Sequence, residues 1–185
     1  MFGPPARGLR STEGKYVMKV LISAASKHGS TEGIARAIAE VLAAAGFHVD
    51  VREPDEVTTT APYDGVVIGS AVYAGRWLDP ARKLIDREAA TLAYKPVWLF
   101  SSGPVGDPAK PEEEPVEITR LRVTAHAVDH HVFAGKLDRS HLGFAEKAMV
   151  AVVHAAEGDF RPWDDVTAWA SSIAQTLETT LAEKV

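Results

Sequence analysis

The fold is decided by residues 16–31, which read YVMKVLISAASKHGST. The first ten of these residues are mostly apolar and partly β-branched, which is typical of a strand buried in a sheet. A loop rich in hydroxyl groups follows, and residues 31–45 then repeat apolar side chains at helical spacing. We expect Ser30 or Thr31 to cap this helix at its start and Gly46 to end it. The stretch therefore predicts a strand, a polar loop and a helix in succession.

The same alternation continues along the chain. Short apolar runs predict further strands at residues 47–51, 63–72, 96–101 and 131–137. Amphipathic spacing predicts further helices at residues 78–92, 116–127 and 142–155, and a last helix that Asp164 or Asp165 caps. Strands that alternate with helices in this way imply a parallel sheet covered by helices on both faces.

Composition narrows the class of protein. The 185 residues fit one domain at residues 16–185, and residues 1–15, which lack apolar periodicity, are predicted to be a disordered or extended N-terminal tail. Met18 is an equally supported alternative start. The net charge of −5 argues against nucleic acid as a partner, and the lack of cysteine excludes disulfides, thiolate catalysis and iron–sulfur clusters. No apolar run reaches the roughly 20 residues of a membrane-spanning helix, so we expect no transmembrane segment and a cytoplasmic protein.

The first loop has the composition of a phosphate site. In a parallel sheet, ligands bind beyond the carboxyl ends of the strands, where this loop lies. Hydroxyl groups, a glycine and the free N–H groups of a helix N-terminus suit a phosphate dianion, and a lysine adds positive charge. The residues concerned are Ser26, Lys27, His28, Gly29, Ser30 and Thr31. The loop lacks the glycine patterns of P-loops and dinucleotide sites, and on its own it is equally compatible with a simple helix cap.

The loop resembles the flavodoxin signature Ser/Thr-x-Thr-Gly-x-Thr, whose hydroxyl and amide groups surround the phosphate of FMN. Ser26, Gly29 and Thr31 match that signature, and His28 stands where the family usually has a hydroxyl residue. The resemblance implies that FMN is bound non-covalently to an α/β domain. The implied fold is a flavodoxin-like, doubly wound parallel sheet of five strands in the order 2-1-3-4-5, with helices on both faces.

Two further loops extend the resemblance. The third predicted strand runs into a loop that lies along the flavin ring in flavodoxins, here Ser70, Ala71, Val72, Tyr73, Ala74, Gly75, Arg76 and Trp77. The fourth strand ends in a loop that closes over the flavin in the family, here Ser102, Gly103, Pro104, Val105 and Gly106. The ring loop, with residues 134–137 and 163–170, looks closest to the bacterial menaquinone-dependent protoporphyrinogen oxidase subfamily. The resemblance covers nearly everything from Met18 to Leu181.

The resemblance also implies roles around the flavin ring. We expect Tyr73 or Trp77 to stack on the ring; the alternative for each is that it covers the edge of the core. Gly75 is expected to present a peptide to the ring, because glycine tolerates positive φ; the alternative is an ordinary turn. A cation at Arg76 would raise the flavin potential and favour a flavin that accepts electrons from a substrate, whereas a merely solvated arginine would not.

The implied function is a flavin-dependent oxidoreductase that passes electrons from a reduced organic substrate through FMN to a quinone or another acceptor. The sequence assigns no catalytic residue. The first alternative is an electron carrier between redox partner proteins. The second is a flavin-free interaction domain, which is considered because His28 replaces a hydroxyl residue of the FMN signature. Residues 142–155 correspond to a helical insertion that is associated with substrate and the membrane surface in the oxidase subfamily. Their few cations favour packing on the sheet over peripheral membrane contact.

One histidine pair has the spacing of a possible metal site. His126 and His130 have the i, i+4 spacing that could hold a metal on a helix. The predicted structure changes from helix to strand between them, and no third ligand accompanies them. We therefore expect no metal site.

Overall fold

Five parallel strands form the main sheet. The structure is a computed structural model that describes residues 9–10, 16–73, 75–103, 116–137 and 158–182. The strands are β1 (Lys19–Ala25), β2 (His48–Arg52), β3 (Gly65–Tyr73), β4 (Val97–Ser102) and β5 (Asp129–Phe133). They lie in the order β2-β1-β3-β4-β5, and each neighbouring pair is parallel. This topology confirms the predicted order 2-1-3-4-5.

Helices cover both faces of the sheet. Within the described residues they are α1 (Ser30–Ala44), α2 (Asp79–Leu92), α3 (Val116–Ala125) and α4 (Trp163–Ala182). One apolar cluster joins α1 and α4 to one face, and a second joins α2 and α3 to the other. This arrangement confirms the doubly wound α/β class. None of these four helices is long and apolar enough to cross a membrane.

A close approach between β3 and β4 requires a glycine in the middle of the sheet. Gly69 pairs with Phe100, and a Cβ atom on Gly69 would lie 2.1 Å from Cζ of that ring. The ring of Phe100 is fully buried and makes edge contacts with Phe133 and Trp169, at centroid distances of 6.1 and 6.2 Å. The space above Gly69 is thus filled by an aromatic cluster, which holds the carboxyl ends of these strands together.

A polar cluster joins β1 and β2 at the opposite end of the sheet. Asp50 accepts a hydrogen bond from the Tyr63 hydroxyl at 2.9 Å and pairs with Nζ of Lys19 at 2.9 Å. Burial opposes ionisation of Asp50. The hydrogen bonds from Lys19 and Tyr63, with the charges of Lys19 and His48, outweigh it and hold the pKa of the carboxyl below its ordinary value. Asp50 therefore stabilises the fold as a carboxylate.

The start of α1 differs from the prediction. The N-cap residue is Gly29, which has a φ of 78° and makes no side-chain cap. The prediction that Ser30 or Thr31 caps the helix was therefore wrong, because both residues lie inside its first turn. At the other end Gly46 has a φ of 93°, and the N–H of Phe47 bonds to the carbonyl of Leu42. That geometry confirms Gly46 as the residue that ends the helix.

Two predicted boundaries were also displaced. The strand predicted at residues 131–137 is two strands, because β5 ends at Phe133 and Lys136–Leu137 pairs antiparallel with Gly158–Asp159. The last helix begins at Trp163, so Asp164 and Asp165 lie in its first turn and do not cap it. Carboxylates there still stabilise a helix through its dipole.

Two other predicted segments fall wholly or partly outside the part of the chain that the structure describes. The helix predicted at residues 142–155 lies wholly outside it, and most of the tail predicted at residues 1–15 does too. In the predicted tail, Leu9–Arg10 is extended and pairs antiparallel with Tyr16–Val17.

Candidate functional site

Three loops meet at the carboxyl end of the sheet. The register of the ladder pairs Ala25 with Ser70, Ser70 with Ser101, and Ser102 with Phe133. The loops that follow β1, β3 and β4 therefore leave the sheet at one level. We call the loop of residues 26–31 the first loop, because it follows β1 and leads into α1.

The first loop carries two buried hydroxyl groups without partners. Oγ of Ser26 and Oγ1 of Thr31 are shielded from solvent and make no hydrogen bond to any described residue. Thr31 is 1% exposed. Leaving such a group unpaired costs about 1–3 kcal/mol, so an acceptor is expected at this place. Ser30 differs, because its Oγ accepts the N–H of Lys136 at 2.9 Å.

Tyr73 connects the first loop to the loop after β3. Nζ of Lys27 lies 5.3 Å from the centroid of the Tyr73 ring, and the ring of His28 meets it edge-on with centroids 6.5 Å apart. Lys27, His28 and Gly29 are exposed, and Tyr73 is half-buried. The structure therefore brings the predicted phosphate loop and the predicted ring loop into contact.

The ring loop is a tight hairpin on the end of β3. Val72 pairs with Trp77 and Tyr73 with Arg76, in a short antiparallel strand Arg76–Trp77 that sequence reasoning missed. Gly75 turns the chain with a φ of 73°, which an L-residue rarely adopts. Ala74, also predicted to contact the cofactor, lies outside the described residues.

Trp77 points into the protein. It is 2% exposed, and its Nε1 donates to Oγ of Ser101 at 2.8 Å. This placement fits the alternative in which Trp77 covers the edge of the core. Ser70 is also engaged inside, since its Oγ donates to the carbonyl of Ala71 and accepts the N–H of Leu78.

An acidic partner of the hairpin, Glu117, was not predicted. Its Oε2 accepts the N–H of Trp77 at 3.0 Å, and its Oε1 lies 3.6 Å from Nε of Arg76 and accepts Nη1 of Arg82 at 2.9 Å. Arg76 is 65% exposed and thus has a counter-ion beside it. Glu117 stands 40 residues from Trp77 in the chain, and only the packing of α3 beside α2 brings them together.

The loop after β4 begins with a glycine in a conformation that few other residues adopt. Gly103 has a φ of 114°, and its N–H donates to the carbonyl of Phe133 at 2.9 Å. Ser102 and Gly103 are buried beside Gly135. Pro104, Val105 and Gly106 were predicted to close over the cofactor and lie outside the described residues.

Arg161 is a second cation near the first loop, after Lys27, and it was not predicted from the sequence. Arg161 donates from Nε to Oδ1 of Asp159 at 2.8 Å and also bonds Oδ2 through Nη2. These hydrogen bonds hold the pKa of Asp159 below its ordinary value. The guanidinium also lies 4.4 Å above the Trp163 ring. The guanidinium also lies against Gly33 in the first turn of α1. The local sequence does not predict this contact, because it depends on how the chain folds back after β5.

A cavity of about 420 Å³ opens beside the first loop, on its β2 side. Its walls include Ser26, Lys27 and Gly29 and, from β2, Val51 and Arg52. Its size is within the range of small-molecule pockets. None of the ring-loop residues that the structure describes lines it.

The histidine pair considered for metal binding is split between two elements. His126 follows α3 with a φ of 51°, and His130 lies in β5 with its Nε2 2.9 Å from Oγ of Ser101. Across the described ranges, no group of three or more histidine or acidic residues is arranged to hold a metal ion.

The sheet order, the helices on both faces and the loops at the carboxyl ends define a doubly wound α/β protein of the flavodoxin-like class. Residues 21–162 match the sequence family described as the flavodoxin domain. The chain belongs to that family. No curated protein matches the chain in sequence.

Solved structures give the same fold. A flavodoxin from the domain Archaea has a TM-score of 0.58 at 16% identity, covering 87% of this chain and 99% of its own. A Streptococcus pneumoniae TIGR4 flavodoxin scores 0.55 at 18% identity, with 88% and 99% covered. The rubredoxin oxygen:oxidoreductase of Desulfovibrio gigas scores 0.60 at 17% identity, and the match covers 89% of this chain but 37% of that longer one. At these identities the likeness shows the fold alone.

Proposed function

We propose that this protein binds FMN and transfers electrons, with the FMN phosphate on the first loop. The observation that carries the proposal is the pair of buried hydroxyl groups of Ser26 and Thr31, which have no partner among the described residues and flank the N-terminus of α1. A phosphate would accept from both hydroxyls and from the unpaired N–H groups of the helix. The residues present therefore fit the phosphate of FMN.

The proposal gives this chain's residues separate tasks. Ser26 and Thr31 donate to the phosphate, and Lys27 adds a positive charge close by. Tyr73 is the half-buried aromatic residue of the ring loop that we assign to the flavin ring, since the indole of Trp77 is buried and bonded to Ser101. Bound FMN supplies the one- and two-electron chemistry, and the protein supplies grip, orientation and local charge.

The charge around the hairpin bears on the direction of electron flow. An isolated cation at Arg76 was the reason to expect a flavin that takes electrons from a substrate. Glu117 stands beside that arginine and also pairs with Arg82, which in turn pairs with Asp79. These two arginines and two acids together contribute little net charge to their surroundings. This neutralisation supports FMN-dependent electron transfer between redox partners as the leading function.

An oxidoreductase of the protoporphyrinogen oxidase type is the second candidate. It is favoured by residues 134–137, which resemble that subfamily and lie against the first loop, because the N–H of Lys136 donates to Oγ of Ser30. In this function the electrons come from a reduced organic substrate and pass to a quinone or another acceptor. Turnover of protoporphyrinogen with a quinone distinguishes this function from that of a carrier, which would instead be reduced quickly by a partner reductase.

The absorption spectrum tests the proposal. The purified protein, or the apo-protein after addition of FMN, should be yellow, with flavin absorption in a fixed stoichiometry. Ser26→Ala should weaken FMN binding about tenfold or more, because it removes a hydrogen bond to a charged group. Ser23→Ala is the matched control, since the Ser23 hydroxyl is also buried and has no partner in the described ranges but lies within β1. A colourless protein that takes up no FMN would refute both redox functions and leave the interaction domain.

A further inference from the structure

A two-stranded ribbon packs against the first turn of α1. We use the word ribbon for Lys136–Leu137 paired with Gly158–Asp159. The N–H of Lys136 donates to Oγ of Ser30 at 2.9 Å, which ties the ribbon to the helix. Arg161 follows the ribbon directly and lies against the same turn.

The guanidinium of Arg161 is held rigidly at Gly33. Two of its nitrogens bond to Asp159, its face covers the ring of Trp163, and its side chain is 13% exposed. Its third nitrogen, Nη1, lies 2.4 Å from where a Cβ atom on Gly33 would be. No acceptor for Nη1 is found in the described ranges. The N–H of Gly33 bonds to the carbonyl of Gly29, so this cation stands within one turn of the start of α1.

Asp159 already offsets the charge of Arg161, so the donor that remains for a further anion is Nη1, which lies beside the first turn of α1. The N-terminus of a helix carries a partial positive charge, which stabilises acids and opposes cations. The acid in the first turn, Glu32, is already paired with Arg36, with Oε1 2.6 Å from Nη2. A second and independent sign of a missing anion is Thr31, which is 1% exposed and whose hydroxyl has no described partner.

We propose that Arg161 belongs to the phosphate site and donates a hydrogen bond from Nη1 to a phosphate monoester held by the first loop. The inference deepens the proposed function and rests on it for the identity of the ligand as FMN. Arg161 would then be a binding residue that distinguishes FMN from riboflavin, which lacks the phosphate. Asp159 and Trp163 fix its planar fork in advance, so little side-chain freedom is lost when the anion binds.

Flavin titrations of the apo-protein test this role. FMN and riboflavin are titrated separately into the wild type, Arg161→Gln and Arg161→Lys, and the Kd is measured from flavin fluorescence. Arg161→Gln should raise the Kd for FMN about tenfold, because it removes a charge-assisted contact, and should leave the Kd for riboflavin within about twofold. Arg161→Lys, which keeps the charge but loses the fork, should fall between the wild type and Arg161→Gln. Arg120→Gln, which breaks an exposed ion pair with Asp86 on α2, is the matched control.

The outcomes separate this inference from the proposed function. An unchanged Kd for FMN in Arg161→Gln, or an equal loss for both flavins, overturns the role of Arg161 while FMN binding by the wild type stands. If the wild type binds neither flavin, the proposed function fails. In that case the role of Arg161 is tested by measuring the thermal midpoint of both proteins with and without inorganic phosphate. A phosphate-induced rise in the wild type that is absent from Arg161→Gln supports the anion site. An equal response of the two proteins overturns it.

A second variant guards against misfolding of Arg161→Gln. Gly33→Ala keeps the charge of Arg161 but displaces its guanidinium, because the added Cβ takes the place of Nη1. It should weaken FMN binding and not riboflavin binding, while helix propensity favours alanine over glycine. Unchanged binding of FMN by Gly33→Ala, with Arg161→Gln unfolded, also overturns the inference.

Discussion

Replacing Thr31 by valine should weaken FMN binding and leave the apo-protein at least as stable as the wild type. Thr31 is 1% exposed and its hydroxyl has no partner among the described residues, so in the absence of ligand the hydroxyl lowers stability. Valine has nearly the same shape without the polar group. The two effects have opposite signs, which is unusual for a buried substitution, since most buried substitutions destabilise.

The magnitudes follow from the burial of this one atom. A buried unpaired hydroxyl costs about 1–3 kcal/mol, part of which is recovered by local relaxation, so Thr31→Val should raise the free energy of unfolding by up to about 1 kcal/mol. That corresponds to about 2–4 °C in Tm for a chain of this size. A hydrogen bond to a phosphate is worth about 1.5–3 kcal/mol, so the Kd for FMN should rise by about 10-fold to 150-fold.

Thermal or urea unfolding of the apo-protein and a fluorescence titration with FMN measure the two effects. Thr60→Val is the contrasting control, because the Thr60 hydroxyl is fully buried and donates to Oε2 of Glu88 at 2.9 Å. That variant should lose about 1–3 kcal/mol of stability and keep its affinity for FMN. A fall of more than about 1 kcal/mol in Thr31→Val would show that the Thr31 hydroxyl is already satisfied, and an unchanged Kd would remove it from the phosphate site.

Three further predictions concern the sheet, the hairpin and the polar cluster. Gly69→Ala should lower the free energy of unfolding, measured by urea titration, by about 1–3 kcal/mol, because the added methyl group meets the ring of Phe100. An unchanged free energy would mean that the ring of Phe100 moves aside easily. Glu117→Gln keeps an acceptor but removes the counter-ion of Arg76, so the midpoint potential of bound FMN should rise by on the order of tens of millivolts in a redox titration, and no shift would place this pair away from the flavin. Because the pKa of Asp50 is lowered on folding, its carboxylate stabilises the fold fully above its unfolded pKa of about 3.9, and this stabilisation is lost as the pH falls through the folded value. The difference in free energy of unfolding between wild type and Asp50→Asn should therefore shrink below about pH 4 in urea titrations at several pH values. A difference that stays constant with pH would contradict the ionised role.

Most of the fold follows from periodicity in the sequence. The apolar strands and the stripe of α1 were predictable because burial on both faces leaves few polar residues in β1, β3 and β4. The strand order came from the resemblance of the first loop to flavodoxins, and the sheet register confirms it. The break after Phe133 was missed because residues 131–137 read as one run, and only the pairing of Lys136–Leu137 with a distant strand divides it.

The site was less predictable than the fold. The first loop and the ring loop are continuous in sequence, so their residues could be named before their positions were known. Glu117 and Arg161 could not be named, because each acts on a loop that is distant in the chain and near only through topology. The N-cap of α1 was misassigned for a different reason. Ser30 and Thr31 have the composition of caps, but a positive φ at Gly29 starts the helix one residue earlier.

The bond between Lys136 and Ser30 has a consequence for the order of folding. It joins residues 106 apart in the chain, whereas β1, α1 and β2 need only local contacts to assemble. Closing so large a loop is entropically costly and slow compared with forming neighbouring elements. We therefore expect the final shape of the first loop to be reached late, after β5 has joined the sheet and the separate ribbon has formed. A chain still emerging from the ribosome would hold a complete first loop in sequence and yet acquire its ligand-ready form only when the C-terminal part has folded.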